Sequence, residues 1–361
     1  MMTPQAIETQ QAARLRAFFA GHGALLVETG ILQPADTLLD LYGEDIRARA
    51  YVTSDALRGE QMLRPDFTVP VVQMHMAHGA APARYTYAGP VFRRQEEDGA
   101  RANEYQQVGF ELFDGTNPAE ADAEVFALIA QALGPAPLRA ATGDIGILMA
   151  AVDALDPTAR RRAALRRHIW RPRRFRALMD RFAGRVPVPA SRQAVVAGHT
   201  VPTGAPEIGL RSMAEVEARI VALREDAQAG PIPASQVALI DAILDVREAM
   251  PYALEQLRDI SVDLPAIAPA VARMAQRMQA LERRGIDVAR LDFEASYGRS
   301  TMEYYDGFVF GFYAETRADL PAVASGGRYD ALTAVLGQGR SIPAVGGVIR
   351  PGLLADLGAG A

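Results

Sequence analysis

Residues 105–113 read YQQVGFELF, and their alternation decides the fold that this sequence predicts. Successive side chains of a β-strand point to opposite faces of its sheet. One face of this stretch is mostly apolar and consists of Gln106, Val108, Phe110 and Leu112. Gln107 and Glu111 share the other face, and Gly109 between them leaves room for a ligand to approach the backbone. The stretch therefore predicts a strand that packs under helices on one face and borders a polar cavity on the other.

Two further stretches extend this polar surface. Residues 85–94 predict a second strand, joined to the first as an antiparallel hairpin that places Arg93 beside Gln107. A third strand is expected to start near Glu303, with Tyr305 on the same face. Carboxylates can hold an ammonium group and arginine can hold a carboxylate, so these side chains suit an amino-acid pocket. On this evidence alone it is equally open that they only bridge the edge of the sheet to its loops.

The composition excludes several kinds of chemistry. The 361 residues contain no cysteine, which rules out disulfides, thiolate zinc sites, iron–sulfur clusters and cysteine nucleophiles. All 38 basic residues are arginine, so there is no lysine for a Schiff base, for pyridoxal phosphate or for a phosphate-binding loop. His75 and His78 have a metal-ligand spacing but no third ligand nearby, so no metal or other cofactor is predicted. A net charge of −5 favours no general attraction to nucleic acid, and without a signal sequence or a long apolar run the chain is expected to be cytoplasmic.

The order of the elements predicts a discontinuous α+β domain. After an opening helix and a series of short strands, residues 139–285 are rich in alanine, arginine and leucine at helical spacing. Strand-like runs return at 288–295, 307–314 and 344–349. We therefore predict a core formed by residues 1–138 and 286–361, with a mainly helical insertion region at 139–285.

Five ordered stretches resemble the catalytic core of the histidyl-tRNA synthetases. They are LRPDFT at 63–68, YAGPVFR at 87–93, QQVGFELF at 106–113, EYYDGFVF at 303–310 and SGGRYD at 325–330. The resemblance implies the class II aminoacyl-tRNA synthetase fold, an antiparallel sheet flanked by helices, here with a helical insertion. By matching position it also implies a histidine-binding pocket made of Asp66, Thr68, Arg93, Gln107, Glu111, Tyr304 and Tyr305.

Departures from the synthetase pattern decide the function that the resemblance implies. Ser300 stands where these synthetases carry an arginine for the reacting carboxylate and phosphate, and Leu353 stands where they carry an ATP-binding arginine. Loss of one such donor typically costs about 3–4 kcal/mol of transition-state stabilisation. The nearby Arg299 and Arg350 are not expected to replace the two missing charges. Arg299 is one residue from Ser300, and a shift of one residue in a strand turns a side chain to the opposite face. Arg350 is three residues before Leu353, which in a helix changes the direction of a side chain by about 60°. An anticodon-binding domain, which the synthetases carry, is also missing from the pattern.

This combination resembles the regulatory subunits of ATP phosphoribosyltransferase, which are histidyl-tRNA synthetase-like proteins. It implies a chain with no catalytic residues, required with the short-form catalytic subunit for the first step of histidine biosynthesis. It further implies allosteric feedback control with histidine as a possible ligand, and a homodimer within a hetero-oligomer. In line with the composition, no metal, cofactor or membrane contact is expected, and a nucleic-acid partner is not favoured.

Two alternatives remain open. The chain could be a truncated histidyl-tRNA synthetase or another amino-acid adenylate-forming enzyme. It could also be a tRNA-binding module, because residues 160–185 contain eleven arginines, a single carboxylate and the only tryptophan, Trp170. For that segment we favour a solvated helix face, or a surface that meets an acidic patch of the partner subunit.

Overall fold

The computed structural model of the chain describes residues 3–35, 46, 48–95, 102–198, 211–299 and 303–358. Its strands are β1 (Leu25–Leu26), β2 (Leu32–Pro34), β3 (Val52–Asp55), β4 (Gly59–Leu63), β5 (Ala83–Phe92), β6 (Glu104–Phe113), β7 (Leu138–Asp144), β8 (Arg247–Ala249), β9 (Asp292–Glu294), β10 (Phe308–Ala314), β11 (Ala324–Arg328) and β12 (Ala344–Ile349). Its α-helices are α1 (Pro4–Gly21), α2 (Thr68–His78), α3 (Pro118–Leu133), α4 (Ile145–Ala154), α5 (Ala159–Arg167), α6 (Pro172–Phe182), α7 (Ala190–Val196), α8 (Met213–Gln228), α9 (Ala234–Asp245), α10 (Met250–Asp263), α11 (Ala268–Arg283), α12 (Asp330–Leu336) and α13 (Pro351–Asp356). In these ranges, none of the helices combines the length and the apolar character that crossing a membrane requires.

One large sheet organises the fold. Among the described residues it contains nine strands in the order β1-β5-β6-β12-β11-β10-β7-β9-β8, and a small separate sheet has the order β2-β4-β3. Most neighbours in the large sheet are antiparallel, whereas β1–β5 and β7–β9 are parallel. Helix α1 contacts β5 and β6, and α3 contacts β12. The predicted α+β fold, a largely antiparallel sheet flanked by helices, is confirmed.

The hairpin of β5 and β6 shows the alternation that the sequence predicts. Phe110 packs against Phe19 of α1, with ring centroids 5.4 Å apart, while Gln107, three residues earlier in β6, projects from the other face of the strand. Gly109 does not leave room for a ligand, however. It lies opposite Tyr87, and a Cβ at Gly109 would be 2.2 Å from the tyrosine ring. The absent side chain makes space for Tyr87 itself.

The strand expected near Glu303 begins only with β10. Residues 303–307 form a turn and a bend, which Asp306 holds by accepting hydrogen bonds from backbone N–H groups at the start of α12. Side chains alternate between two faces only where the backbone is extended, so the pattern does not apply to residues 303–307. Glu303 pairs with Arg171, whose Nη2 lies 3.0 Å from Glu303 Oε1, whereas Tyr305 borders the cavity described below.

The region 139–285 contains α4 to α11 and also supplies strand residues to the large sheet, including all of β8. A buried ion cluster attaches its last helix to the rest of the fold. Arg277 of α11 lies 3.1 Å from Asp122 of α3 and 2.8 Å from Asp144 at the end of β7. Arg328 of β11 contacts Asp122 as well, at 2.7 Å. The boundaries of an insertion at 139–285 stay a prediction.

Candidate functional site

A cavity of about 350 Å³ lies beside β6, β10, β11 and β12, and its volume is in the range of small-molecule sites. Six of the seven residues predicted for the histidine pocket line it: Asp66, Thr68, Arg93, Gln107, Tyr304 and Tyr305. The wall also includes Arg49, Tyr297, Tyr313, Ser325 and Arg350. The fold thus surrounds one space with carboxylate, guanidinium, amide and phenol groups.

Glu111, the seventh predicted residue, is absent from this wall and reaches the cavity only through Thr68. Its Oε1 accepts hydrogen bonds from Thr68 Oγ1 at 2.9 Å and from the Tyr87 hydroxyl at 2.8 Å. Its Oε2 accepts one from the Tyr329 hydroxyl at 2.6 Å. The expectation that Glu111 points into the cavity is therefore corrected. Its carboxyl fills the space left by Gly346 of β12, where a Cβ would lie 1.5 Å from Oε2.

The environment of Glu111 makes it a support for the site. Burial raises the pKa of its carboxyl to about 7, although three hydroxyl donors favour the ionised form. At neutral pH both the protonated and the ionised carboxyl are therefore populated. In either form, Glu111 orients the Thr68 hydroxyl toward its place in the wall of the cavity.

Asp66 supplies a carboxylate that suits the ammonium group of a ligand. It lies two residues before the start of α2, is buried, and accepts a hydrogen bond from the Tyr304 hydroxyl at 3.3 Å. The following residue, Phe67, stacks on Tyr87 with ring centroids 4.3 Å apart. This stacking fixes the chain where it enters α2, and so it positions Asp66.

Gln107 gives the most direct indication of a ligand. Its side chain is 1% exposed, and within the part of the chain that the structure describes its Oε1 accepts no hydrogen bond. A buried acceptor without a partner costs about 1–3 kcal/mol, and such atoms usually have a partner that is not part of the protein. Because Gln107 lines the cavity, an ammonium or N–H group of a bound molecule would satisfy this oxygen.

Three arginines, Arg49, Arg93 and Arg350, border the cavity and bring positive charge to its wall. Arg93 donates from Nε to the carbonyl of Pro65 at 2.7 Å, which fixes its guanidinium group. Arg350 donates from Nη1 to the carbonyl of Ala322 at 2.8 Å and lies 5.4 Å from the ring centroid of Tyr105. The expectation that Arg350 points elsewhere is wrong. Arg350 precedes α13 with φ −99° and ψ 99°, so the geometry of a helix does not govern its direction.

The two positions that distinguish this chain from the synthetase pattern carry no such charge. Leu353 is half-buried and packs against the core. Arg299 is not among the residues that line the cavity. Its Nε donates to the carbonyl of Ile169 at 2.8 Å, and its guanidinium carbon lies 4.9 Å from the ring centroid of Phe175. Ser300 lies outside the described residues.

Comparisons with known proteins identify the family. The family model described as histidyl-tRNA synthetase matches residues 3–196 and 213–351. The curated ATP phosphoribosyltransferase regulatory subunits of Brucella ovis and Brucella abortus are each 32% identical to this chain. Each match covers 92% of this chain, and it covers 93% of the Brucella ovis protein and 92% of the Brucella abortus protein. The chain belongs to the histidyl-tRNA synthetase-like family of ATP phosphoribosyltransferase regulatory subunits. The predicted family is confirmed, and so is the prediction of a regulatory rather than a catalytic chain.

Solved structures show the fold of this regulatory-subunit family. A protein from Bacillus halodurans C, described as an ATP phosphoribosyltransferase regulatory subunit/histidyl-tRNA synthetase, has a TM-score of 0.66 at 22% identity, over 97% of this chain and 79% of that chain. Histidyl-tRNA synthetase from Nostoc sp. PCC 7120 has a TM-score of 0.64 at 17% identity, over 99% of this chain and 73% of that one. At such identities the likeness shows the class II synthetase fold alone.

The sequence patterns did not predict a pair of tyrosines that line the cavity of this chain. The hydroxyls of Tyr297 and Tyr313 are 2.9 Å apart, and burial raises the pKa of Tyr297. Gly311 of β10 makes room for the pair, because a Cβ there would lie 2.1 Å from the Tyr297 hydroxyl. A glycine inside a strand can mark such a close approach. Only the fold shows that Tyr297 is the neighbour.

The arginine-rich segment 160–185 also contacts the site. Trp170 donates from Nε1 to the carbonyl of Tyr305 at 3.1 Å, and the next residue, Arg171, forms the ion pair with Glu303. Trp170 packs against the hydrophobic core. It is therefore not presented for stacking with bases, as the tRNA-binding alternative requires.

Proposed function

We propose that this chain is the regulatory subunit of an ATP phosphoribosyltransferase and is required, with the short-form catalytic subunit, for the first step of histidine biosynthesis. The names of its relatives support this role. The replacement of a synthetase arginine by Leu353, which packs into the protein, supports the absence of a reaction of its own. The assembly we propose is a homodimer of this chain within a hetero-oligomer.

We further propose that the cavity binds histidine for feedback control, and the unpartnered Oε1 of Gln107 is the observation that carries this proposal. An amino acid offers an ammonium group to Gln107 and Asp66 and a carboxylate to Arg93, and all three residues border the same space. Charge-assisted hydrogen bonds of this kind are about twice as strong as neutral ones. The cavity thus offers complementary charges for both ends of the ligand.

Feedback inhibition follows if histidine binds one arrangement of the complex better than another. A ligand shifts a conformational equilibrium only by its difference in affinity for the two states. Typical allosteric couplings are about 1–3 kcal/mol, which corresponds to a change of roughly 5- to 150-fold in affinity. A cavity bordered by several elements can provide such a difference.

Reconstitution with the catalytic subunit tests the proposed function. Purified short-form subunit is assayed with ATP and phosphoribosyl pyrophosphate, alone and with this chain, in the presence and absence of histidine. We expect activity to rise on addition of the chain and to fall on addition of histidine. Heat-denatured chain is the control. Activity and histidine sensitivity that do not change when the chain is added would reject the proposal.

The position of Arg350 is the one observation that favours the adenylate-forming alternative, because it brings a further positive charge to the cavity. Histidine-dependent exchange of pyrophosphate into ATP tests this alternative directly. We expect no exchange with the isolated chain. Exchange that disappears in Arg93→Ala and Arg350→Ala would instead identify an amino-acid-activating enzyme.

A further inference from the structure

Helices α5 and α6 carry a group of exposed arginines that we call the arginine surface. It consists of Arg160, Arg167, Arg173 and Arg174. Arg160 and Arg167 are seven residues apart on α5, which is about two helical turns, so they share one face. Arg173 and Arg174 lie in the first turn of α6, and α6 contacts α5. The four positive charges therefore extend along α5 and around the turn that joins it to α6.

Within the described ranges, these four arginines differ from Arg161 and Arg166 because they have no carboxylate partner. Arg161 pairs with Asp226 at 2.6 Å, and Arg166 pairs with Asp153. In contrast, the described residues offer no ion-pair partner to any member of the arginine surface. In a chain whose net charge is −5, this is a local excess of positive charge. Such a patch attracts a surface of opposite sign and accelerates its association.

Two hydrogen bonds connect the turn beside the arginine surface to residues at or next to the wall of the cavity. Residues 168–171 form the turn between the two helices, and Trp170 within it donates its hydrogen bond to the Tyr305 carbonyl. In the same turn, the carbonyl of Ile169 accepts the hydrogen bond from Arg299 Nε. Tyr305 lines the cavity, and Arg299 follows Gly298, which lines it too. A molecule that docks on α5 and α6 therefore contacts the helices that hold two borders of the cavity.

The surroundings of the surface favour a protein over an RNA. Single-stranded nucleic acid is bound by aromatic side chains that stack with bases, in addition to positive charge. The aromatic residues of the segment are Trp170, Phe175 and Phe182, of which the two phenylalanines are buried and Trp170 packs against the core. Guanidinium groups alone are well suited to carboxylates, which they can bind through two parallel hydrogen bonds.

We propose that the arginine surface docks an acidic face of the ATP phosphoribosyltransferase catalytic subunit. This inference rests on the function proposed above and names the contact through which that function operates. Docking at this place sets the catalytic subunit against the two helices that flank the turn, and Trp170 of that turn contacts Tyr305 in the wall of the cavity. Occupancy of the cavity and the fit of the partner then depend on the same turn.

Charge reversal in the full-length chain tests the inference. The test variant carries Arg167→Glu, Arg173→Glu and Arg174→Glu. The control variant carries Arg16→Glu, Arg273→Glu and Arg290→Glu, three exposed arginines on other elements, and so changes the net charge equally. Affinity for the purified catalytic subunit is measured by analytical ultracentrifugation at low and high salt, and histidine binding to the isolated chain verifies that each variant is folded. A milder variant with glutamine at the same three positions serves if the glutamate variant does not fold.

We expect the test variant to bind the catalytic subunit about tenfold more weakly or worse, and with a smaller dependence on salt, while the control binds like wild type. Unchanged affinity of both surface variants would overturn the docking inference and leave the proposed function in place, because wild type would still bind and stimulate. If wild type neither binds nor stimulates, the proposed function itself fails, and the inference fails with it. The inference would also be overturned if wild type bound tRNA, the test variant did not, and both bound the catalytic subunit equally well. The arginine surface would then be a binding site for RNA.

Discussion

The buried carboxyl of Glu111 makes the stability of the protein depend on pH just below neutrality. Its pKa rises from 4.5 to about 7 in the fold, mainly because of burial. Between these two values the unfolded chain releases a proton that the folded chain keeps. The free energy of unfolding therefore falls as pH rises through this window. Each pKa unit corresponds to about 1.4 kcal/mol, so the whole change is about 3 kcal/mol.

The variant Glu111→Gln should lose this pH dependence, because an amide titrates in neither the folded nor the unfolded chain. Unfolding in urea at about pH 5 and about pH 8 measures the free energy in both states of the carboxyl. Glu104→Gln changes an exposed residue at the start of the same strand and should keep the behaviour of wild type. If wild type and Glu111→Gln show the same difference between the two pH values, Glu111 does not titrate as described.

At the scale of single residues, alternation in a strand predicted the side on which a residue lies but not the atom it touches. Gln107 and Glu111 do share a face of β6, and Gln107 lines the cavity. Glu111 instead bonds to Tyr87 and Tyr329, because the missing side chain of Gly346 lets its carboxyl move away from the cavity. Gly346 is on another strand, and its approach depends on how the sheet is assembled. A local pattern contains no information about such a contact.

At the scale of elements, the turn between α5 and α6 connects the arginine surface to the cavity. The most direct link is the hydrogen bond from Trp170 to the carbonyl of Tyr305, because Tyr305 itself lines the cavity. Trp170→Phe keeps an aromatic ring in place but removes the donor, and one such bond is worth about 0.5–1.5 kcal/mol. In the reconstituted complex, we expect the histidine concentration for half-inhibition to rise about three- to tenfold. A free-energy change of this size alters the equilibrium constant between two states of the complex by about that factor.

Two measurements separate this coupling from a simple loss of binding. The affinity of the isolated Trp170→Phe chain for histidine, measured by calorimetry, should stay within about twofold of wild type, since Trp170 is not part of the cavity wall. Tyr252→Phe alters an exposed aromatic side chain on α10 and is the matched control. Half-inhibition at the same histidine concentration in wild type and Trp170→Phe would show that the turn does not transmit the signal.

Local signals at the ends of elements were readable from the sequence where they act within a few residues. Helix α3 begins directly after Asn117, whose side chain caps it by accepting a hydrogen bond from the backbone N–H of Glu120. Arg350 was misplaced, because its direction was argued as if α13 had already begun. Glu303 was misplaced because Asp306, by bonding to another element, turns the chain before β10 starts. In the case of Glu303, a contact with another element decided where regular structure begins.

At the scale of the whole molecule, the resemblance to the synthetases predicted the fold, but the composition of the large sheet could not be read from strand patterns. Strand β7 lies between β10 and β9, which follow it in the chain by about 170 and about 150 residues, respectively. Such pairing depends on long-range packing, which local propensity does not encode. The buried cluster of Arg277, Asp122 and Asp144 is equally non-local, since it brings together α11, α3 and β7.

The central claim is that this inherited cavity binds histidine, and calorimetry on the isolated full-length chain tests it most directly. Wild type should bind one histidine per chain, and Gln107→Ala, which removes the acceptor, should bind it about tenfold more weakly. The matched variant Gln131→Ala, at an exposed position on α3, should bind like wild type. If wild type shows no heat of histidine binding, or if Gln107→Ala binds histidine as tightly as wild type does, the claim is contradicted.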